Sequence, residues 1–356
     1  LQTTNPNDSG SKESRSNTAL VFDIGGTTIR AGVFDNSTGS LGPAKRVATP
    51  NFQTHSELGA RELLEKVIEA VTALARDLLG GDQPSVVVVG YPGPVLPSGV
   101  VLRSPTILGP ALDCECNIKA RLQEGWPGAE IRVLNDLSCA GYAYVAQGHR
   151  DFCVITVGSG IGNKVFLDGR PVTGPSGRGG EIGHLQLFPG ERAPHSARRD
   201  ELGNIASGRG AINLCRQFVD EYAGKRIVSD LLPMSGDELS RDDGSQLARA
   251  FRMRDELAVR IVETSCYPLA QTIAAMHLAI GLESFFIVGG FAKALGRDYL
   301  DILIRYAQEL TWDLGQDWKN MISLGNEDVE EALVGAAHVV ANTSNKNNCE
   351  LAEGGL

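Results

Sequence analysis

Twice in this chain a short apolar run ends in a glycine-rich turn and returns as a second strand, once near residues 20–34 and again near 152–167. The first copy is Ala19-Leu20-Val21-Phe22, closing at Asp23 and turning through Gly25-Gly26 before the alternating run Ile29 to Phe34. The second is Phe152 to Val157, followed at once by Gly158-Ser159-Gly160-Ile161-Gly162 and a return over Lys164 to Leu167. Apolar runs punctuated by glycine read as strands joined by tight turns. A strand, turn and strand unit that occurs twice, with helical periodicity and further buried runs around it, predicts two related α/β units facing one another.

The segments between fill in this frame. Leu58, Leu63, Val67, Val71, Leu74 and Leu78 recur at steps of three to five, which predicts a helix with Ser56 as N-cap and Gly80 as its stop. Lys45 to Thr49 is a candidate third strand. Val86 to Val89 is the β-branched run of a strand buried on both faces, closed by Gly90-Tyr91-Pro92-Gly93-Pro94. Ile131 to Leu134 is another, ending at Asn135-Asp136, and a small-residue helix is expected from Ser138 to Gln147. One helical segment covers about 246 to 282, Phe285 to Val288 is a last buried strand closing at Gly289-Gly290, and Glu331 to Ala341 reads as a terminal helix. The expected organisation is a flexible tail over 1–18, a smaller lobe over 19–136 completed by the C-terminal segment 329–342, a larger lobe over 137–328 and a second tail over 343–356.

Composition excludes several classes. A chain of 356 residues buries roughly three quarters of its unfolded surface and needs neither disulfide nor metal to be stable. Lys plus Arg is 33 against 43 Asp plus Glu, so the net charge of -10 lacks the basic footprint that coats nucleic acid or anionic lipid. The longest uncharged stretch, Ser265 to Leu282, contains Pro268, Gln271, Thr272 and His277 and fits a buried helix rather than a membrane span. Seven scattered cysteines, an odd number, read as free thiols in a reducing, cytoplasmic compartment. The close pair Cys114-Glu-Cys116 has no second pair to complete a zinc site.

The turns carry the chemistry. In Asp23-Ile24-Gly25-Gly26-Thr27-Thr28 a buried strand delivers an acid to a turn whose glycines expose backbone N–H groups, with two hydroxyls beside them. Such a turn can cradle phosphate oxygens, and the acid can hold Mg²⁺ through water. Gly158 to Gly162 matches neither the dinucleotide fingerprint nor a Walker loop, and gains weight only as the partner of the first turn. Gly289-Gly290 lets backbone approach a flat ligand such as adenine, or is a plain strand-to-helix turn. Asp136 is equally a general base on a substrate hydroxyl or the N-cap of the helix that follows. Glu181 and His184, read alone, are a surface acid and a core imidazole.

Taken together, Asp-Ile-Gly-Gly-Thr-Thr at 23–28, Gly-Tyr-Pro-Gly-Pro-Val at 90–95, Asn-Asp at 135–136, Gly-Ser-Gly-Ile-Gly at 158–162, Gly-Glu-Ile-Gly-His at 180–184 and Val-Gly-Gly at 288–290 stand in the order seen in ROK-type sugar kinases. The chain resembles that family over about 19 to 340. The resemblance implies an α/β, two-lobed actin/hexokinase-like (ribonuclease H-like) fold with a nucleotide and substrate cleft between the lobes. It implies ATP and Mg²⁺, with Asp23, Gly25, Gly26, Thr27 and Thr28 on one side of the phosphates and Gly158, Ser159, Gly160 and Gly162 on the other. It makes Asp136 the catalytic base, sets Gly93, Asn135, Glu181 and His184 around a small polyol substrate, and puts Gly289 and Gly290 against adenosine. It also implies a homodimer, with no nucleic-acid or membrane partner. A sugar-sensing regulator of the same family is the non-catalytic alternative; it carries a DNA-binding domain ahead of the kinase-like part, which the short polar stretch before Ala19 and the acidic charge make the less expected reading.

The chain departs from the family pattern in four places. No cysteine lies between Cys153 and Cys215, where the family has a zinc-binding cluster; the segment holds His184, His195 and Asp200-Glu201 instead, so no structural zinc is expected and His184 needs another partner. Gly203 occupies the position of a substrate-binding glutamate four residues before Ser207, leaving Glu201 as the nearby carboxylate. Ser104-Pro105-Thr106 replaces a Pro-Asn, and Leu96 replaces an Asp. A buried hydrogen-bonding group rejects the ligand that leaves it unpaired. The changes therefore argue against plain glucose and for a C7 cyclitol or a modified sugar, with a zinc-free hexose kinase as the alternative.

Overall fold

The computed structural model describes residues 18–110, 116–187, 200–222, 229, 231, 244–325 and 332–341. The tails expected at either end, apart from Thr18, lie outside the described residues, as do Cys114, His195 and Cys349.

Strands β1 (Thr18–Ile24) and β2 (Thr28–Asp35) form the first hairpin, and β3 (Ser40–Leu41) and β4 (Lys45–Ala48) both pair with β2. β5 (Val86–Tyr91) runs parallel to β1. A small ribbon of β6 (Val100–Val101) and β7 (Cys116–Asn117) follows, then β8 (Glu130–Asn135), parallel to β5. This register aligns Asp23 with Gly90 and Tyr91 with Asn135, so three motifs meet at the carboxyl ends of three parallel strands. That is where open α/β sheets bind ligands.

The second sheet repeats the plan. β9 (Phe152–Val157) and β10 (Ile161–Leu167) form the hairpin, and β11 (Arg170–Pro171) extends it. β12 (Gln186–Leu187) and β13 (Asp200–Glu201) pair apart as a ribbon. β14 (Phe285–Val288) is parallel to β9, and β15 (Ile322–Leu324) is parallel to β14.

Helix α1 (Ala60–Leu79) buries Leu63, Leu64, Val67 and Val71 on one face of the first sheet, beside α2 (Ile118–Gly125). α1 starts later than Ser56: Gly59 is its N-cap, and its N–H donates to Glu62 Oε2 at 3.0 Å. Helix α3 (Asp136–Ala146) is wedged between the sheets. Cys139 packs with Val21, Val88 and the terminal helix, 332–341, while Tyr144 packs with Phe152, Phe166 and Phe286 of the second sheet. Tyr144 stacks on Phe286 at 4.1 Å and Phe152 on Phe166 at 4.7 Å; such pairs add about 1 kcal/mol each beyond burial. A Cβ on Gly335 would lie 1.7 Å from Cys139 O, so α3 and the terminal helix meet backbone to backbone.

The larger core holds α4 (Leu202–Ala206), α5 (Gly208–Tyr222), α6 (Ser245–Arg252), α7 (Glu256–Ile280), α8 (Gly290–Leu295), α9 (Arg297–Glu309) and α10 (Trp318–Met321). The single helix expected over 246–282 is two. Arg254 takes a left-handed φ of 62°, and Asp255 recaps the chain by accepting from Ala258 N at 2.9 Å. Among the described residues no helix is long and apolar enough to cross a membrane.

Candidate active site

The first turn is built from its carbonyls outward. Gly25 N donates to Thr28 O at 3.0 Å, closing the turn. Thr49 Oγ1 donates to Gly25 O at 2.7 Å, and Asn51 Nδ2 to Gly26 O at 2.8 Å. A trans peptide sends its C=O and N–H in opposite directions. Tying those two carbonyls to Thr49 and Asn51 therefore turns the N–H groups of Gly26 and Thr27 to the other side of the loop. Thr49 and Asn51 lie more than twenty residues downstream and carry no motif, so sequence reasoning did not single them out.

Asp23 is the penultimate residue of β1, buried, with Arg30 Nη1 donating to its Oδ2 at 2.8 Å. Arg30 is its register partner on β2, which the strand alternation alone does not reveal. Burial pushes the Asp23 carboxyl above its ordinary value, and Arg30 pulls it back.

Asp136 is the first residue of α3. The helix begins two residues before the expected Ser138, because Asn135 is the cap: its Oδ1 accepts from Leu137 N at 3.1 Å and Ser138 N at 3.2 Å. Asn135 Nδ2 donates to Gly93 O at 3.0 Å and to Asp136 Oδ1 at 2.9 Å. The two acceptor positions and two donors of this amide are thus engaged inside the protein, where they hold Asp136. Gly93 has φ 110°, and a Cβ there would come 1.9 Å from Arg103 O, so this turn admits glycine alone. The Asp136 carboxyl is pushed up to about 7, first by loss of surrounding water, then by repulsion from Asp23; Leu137 N–H and Lys164 act against this, and Glu181 adds to it. An acid tuned to neutral pH suits a general base.

Across from Asp136, the strap before β12 carries Glu181 and the short 3₁₀ turn Ile182–His184. His184 is exposed rather than a core imidazole, and its Nδ1 lies 2.9 Å from Glu201 Oε2. Gln186 Nε2 donates to the other oxygen of Glu201 at 3.3 Å. Glu201 is therefore the partner that the missing cysteine cluster leaves His184 needing. A Cβ on Gly203 would lie 3.1 Å from Gly183 O, a tight contact. Among the described residues no three His, Cys, Asp or Glu side chains gather closely enough to hold a metal ion.

The second turn borders a cleft of about 750 Å³, lined by Gly158, Ser159, Arg209, Asn213, Gly290 and Phe291 among others. Gly208 N donates to Gly158 O at 2.8 Å, docking the turn on the start of α5. Gly289 has φ 101°, and a Cβ there would lie 2.7 Å from Val157 C and O. Gly158, Ser159 and Gly290 thus line one cleft, while Asp23, Gly25 to Thr28, Asn135 and Asp136 lie at the carboxyl ends of the first sheet's strands, Glu181 and His184 on the strap and Glu201 on β13. A slot with four glycines, one apolar ring and two arginines, Arg209 and Arg216, has the size and donor set for a nucleotide.

Comparison with known proteins agrees with this arrangement. The ROK family model matches residues 19–342. A C(7)-cyclitol 7-kinase of Streptomyces hygroscopicus subsp. limoneus is 34% identical over 333 residues, covering 90% of this chain and 93% of that protein. An N-acetylmannosamine kinase of Haemophilus influenzae (strain PittEE) is 28% identical over 295 residues, covering 82% and 85% respectively. Among solved structures, the ROK hexokinase of Thermus thermophilus superposes with a TM-score of 0.66 at 28% identity, over 93% of this chain and 99% of that one. This chain belongs to the ROK family, and its fold is the two-lobed actin/hexokinase-like architecture.

Proposed function

We propose that this protein is an ATP-dependent kinase that phosphorylates one hydroxyl of a sugar-like polyol, with a C7 cyclitol as acceptor. The observation that carries the reading is Asp136: an acid poised near neutrality at the seam of two sheets, locked by Asn135, with Glu181 nearby and, on the same strap, His184 paired with Glu201 of β13. The similarity to a C(7)-cyclitol 7-kinase supports the choice of acceptor.

In this reading the acceptor hydroxyl donates a hydrogen bond to the free oxygen of Asp136. The hydroxyl oxygen attacks the terminal phosphorus, the bond to the ADP oxygen breaks, and the proton passes to Asp136 late, as suits a loose transition state. Glu181 and His184 fix the polyol so that one hydroxyl meets the phosphorus. With Nδ1–H donating to Glu201, His184 presents Nε2 as an acceptor for a substrate hydroxyl. The amides of Gly26 and Thr27 and those of the second turn stabilise charge on the phosphates. The Oδ1 of Asp23, the oxygen not bonded to Arg30, would hold Mg²⁺, which when bound neutralises phosphate charge.

The test compares acceptors under one set of conditions. Purified protein with Mg-ATP is given a C7 cyclitol, glucose and N-acetylmannosamine, and kcat/KM is measured for each. The cyclitol is expected to lead glucose by about 100-fold or more, the scale of discrimination set by buried hydrogen-bonding groups. A preference for glucose would assign the chain to the hexose kinases instead.

A further inference from the structure

We propose that Lys164 is a positioning residue for acceptor binding: from β10 it grips the strap at 179–181 and aims the Glu181 carboxylate at the substrate. This rests on the kinase reading above. Lys164 is 1% exposed, one of the most deeply buried large side chains in the molecule. A buried ammonium persists only where acceptors surround it. Its Nζ donates to Gly179 O at 2.6 Å, to Glu181 Oε1 at 3.4 Å and to Gly180 O at 3.5 Å, three consecutive residues for three N–H bonds.

The strap lies directly on this group. Gly180 has φ 84°, and a Cβ there would fall 2.7 Å from Nζ and 2.8 Å from Asn163 O. The preceding residue holds the other side: buried Asn163 accepts from Ile182 N at 3.2 Å through its Oδ1. Two adjacent side chains of one strand thus pin the backbone on both sides of Glu181. A neutral donor is enough to tie carbonyls. A charged one, stripped of water, is offset by the acids facing it: Glu181 in contact, and Asp136, whose ionisation Lys164 favours while Asp23 and Glu181 oppose it. The lysine therefore joins the strap, the acceptor carboxylate and the base in one electrostatic unit.

The experiment is a double-mutant cycle on the full chain with Mg-ATP and the best acceptor. Lys164→Met and Glu181→Gln are each expected to raise the acceptor KM by about tenfold to a hundredfold, the scale of a misplaced binding group, with the nucleotide KM unchanged. The double variant is expected to bind acceptor no worse than Lys164→Met alone, since the lysine acts through that carboxylate. Additive losses, or an unchanged acceptor KM in Lys164→Met, would overturn the proposal. Should Lys164→Met not fold, Lys164→Arg takes its place in the cycle: it keeps the charge but displaces the strap, and a wild-type acceptor KM in that variant would overturn the proposal. A wild type without acceptor-dependent turnover removes the kinase reading together with this one; a normal wild type with additive variants removes only the role of Lys164.

Discussion

In the proposed reading, one ionisation at Asp136 governs both catalysis and stability. Its carboxyl is raised from 3.8 to about 7 in the folded protein. The base works only when ionised, so kcat/KM is expected to fall as pH drops below about 7, measured across a buffer series with the nucleotide saturating. The sign for stability is opposite. Below the unfolded value the group is protonated in both states and contributes nothing. Between 3.8 and about 7 the unfolded chain ionises while the folded one holds its proton, so stability is lost as pH rises and stays lost above that window. Asp136→Asn is therefore expected to melt at or above the wild-type temperature at pH 8, with the gap closing toward pH 4. A variant that melts well below wild type at pH 8 would mean that this carboxylate is a structural anchor, not a strained functional group.

At the scale of elements, the strands and their glycines were legible because their physics is local. Apolar runs, period-two alternation and Gly25-Gly26 or Gly158 to Gly162 all act within a few residues. The partners of those turns were not legible. Thr49 and Asn51 reach back to Gly25 and Gly26, Arg30 meets Asp23 by strand register, and Lys164 clamps a strap more than a dozen residues away. Glu201 was visible as the nearest carboxylate, but its bond to His184 depends on how β12 and β13 pair. Chain-distant hydrogen bonds leave no periodic trace. Helix starts failed for a related reason: Ser56 and Asp136 are good cap residues, but Gly59 and Asn135 hold the cap positions. Asn51→Ala frees the Gly26 carbonyl, and with it the Thr27 amide. The nucleotide KM is expected to rise about tenfold, the loss of one charge-assisted hydrogen bond, while the acceptor KM is unchanged. An acceptor KM that rises equally would place Asn51 in the wrong pocket.

At the scale of the molecule, α3 is the shared element, packed on the first sheet through Cys139 and on the second through Tyr144. The cleft beside the second turn is lined by residues of the second unit, whereas Asp23 and Gly25 to Thr28 sit on the first. In the proposed reading one nucleotide engages both turns, and closure of the units upon it also expels competing water. Acceptor together with a non-hydrolysable ATP analogue is therefore expected to lower the radius of gyration in small-angle scattering, and neither ligand alone to do so fully. An unchanged radius would mean that the two turns do not act on one nucleotide.

Phosphoryl transfer, as proposed, begins with an acid at the seam readying an alcohol for attack. The direct measurement is ADP release by wild type and by Asp136→Asn, with Mg-ATP, in the presence and absence of a C7 cyclitol. The wild type is expected to release ADP only with the cyclitol, with the new phosphate ester on the acceptor. Asp136→Asn is expected to lose at least about 100-fold of that rate while still binding nucleotide. Near-wild-type turnover in Asp136→Asn, or ADP release indifferent to acceptor, would contradict it.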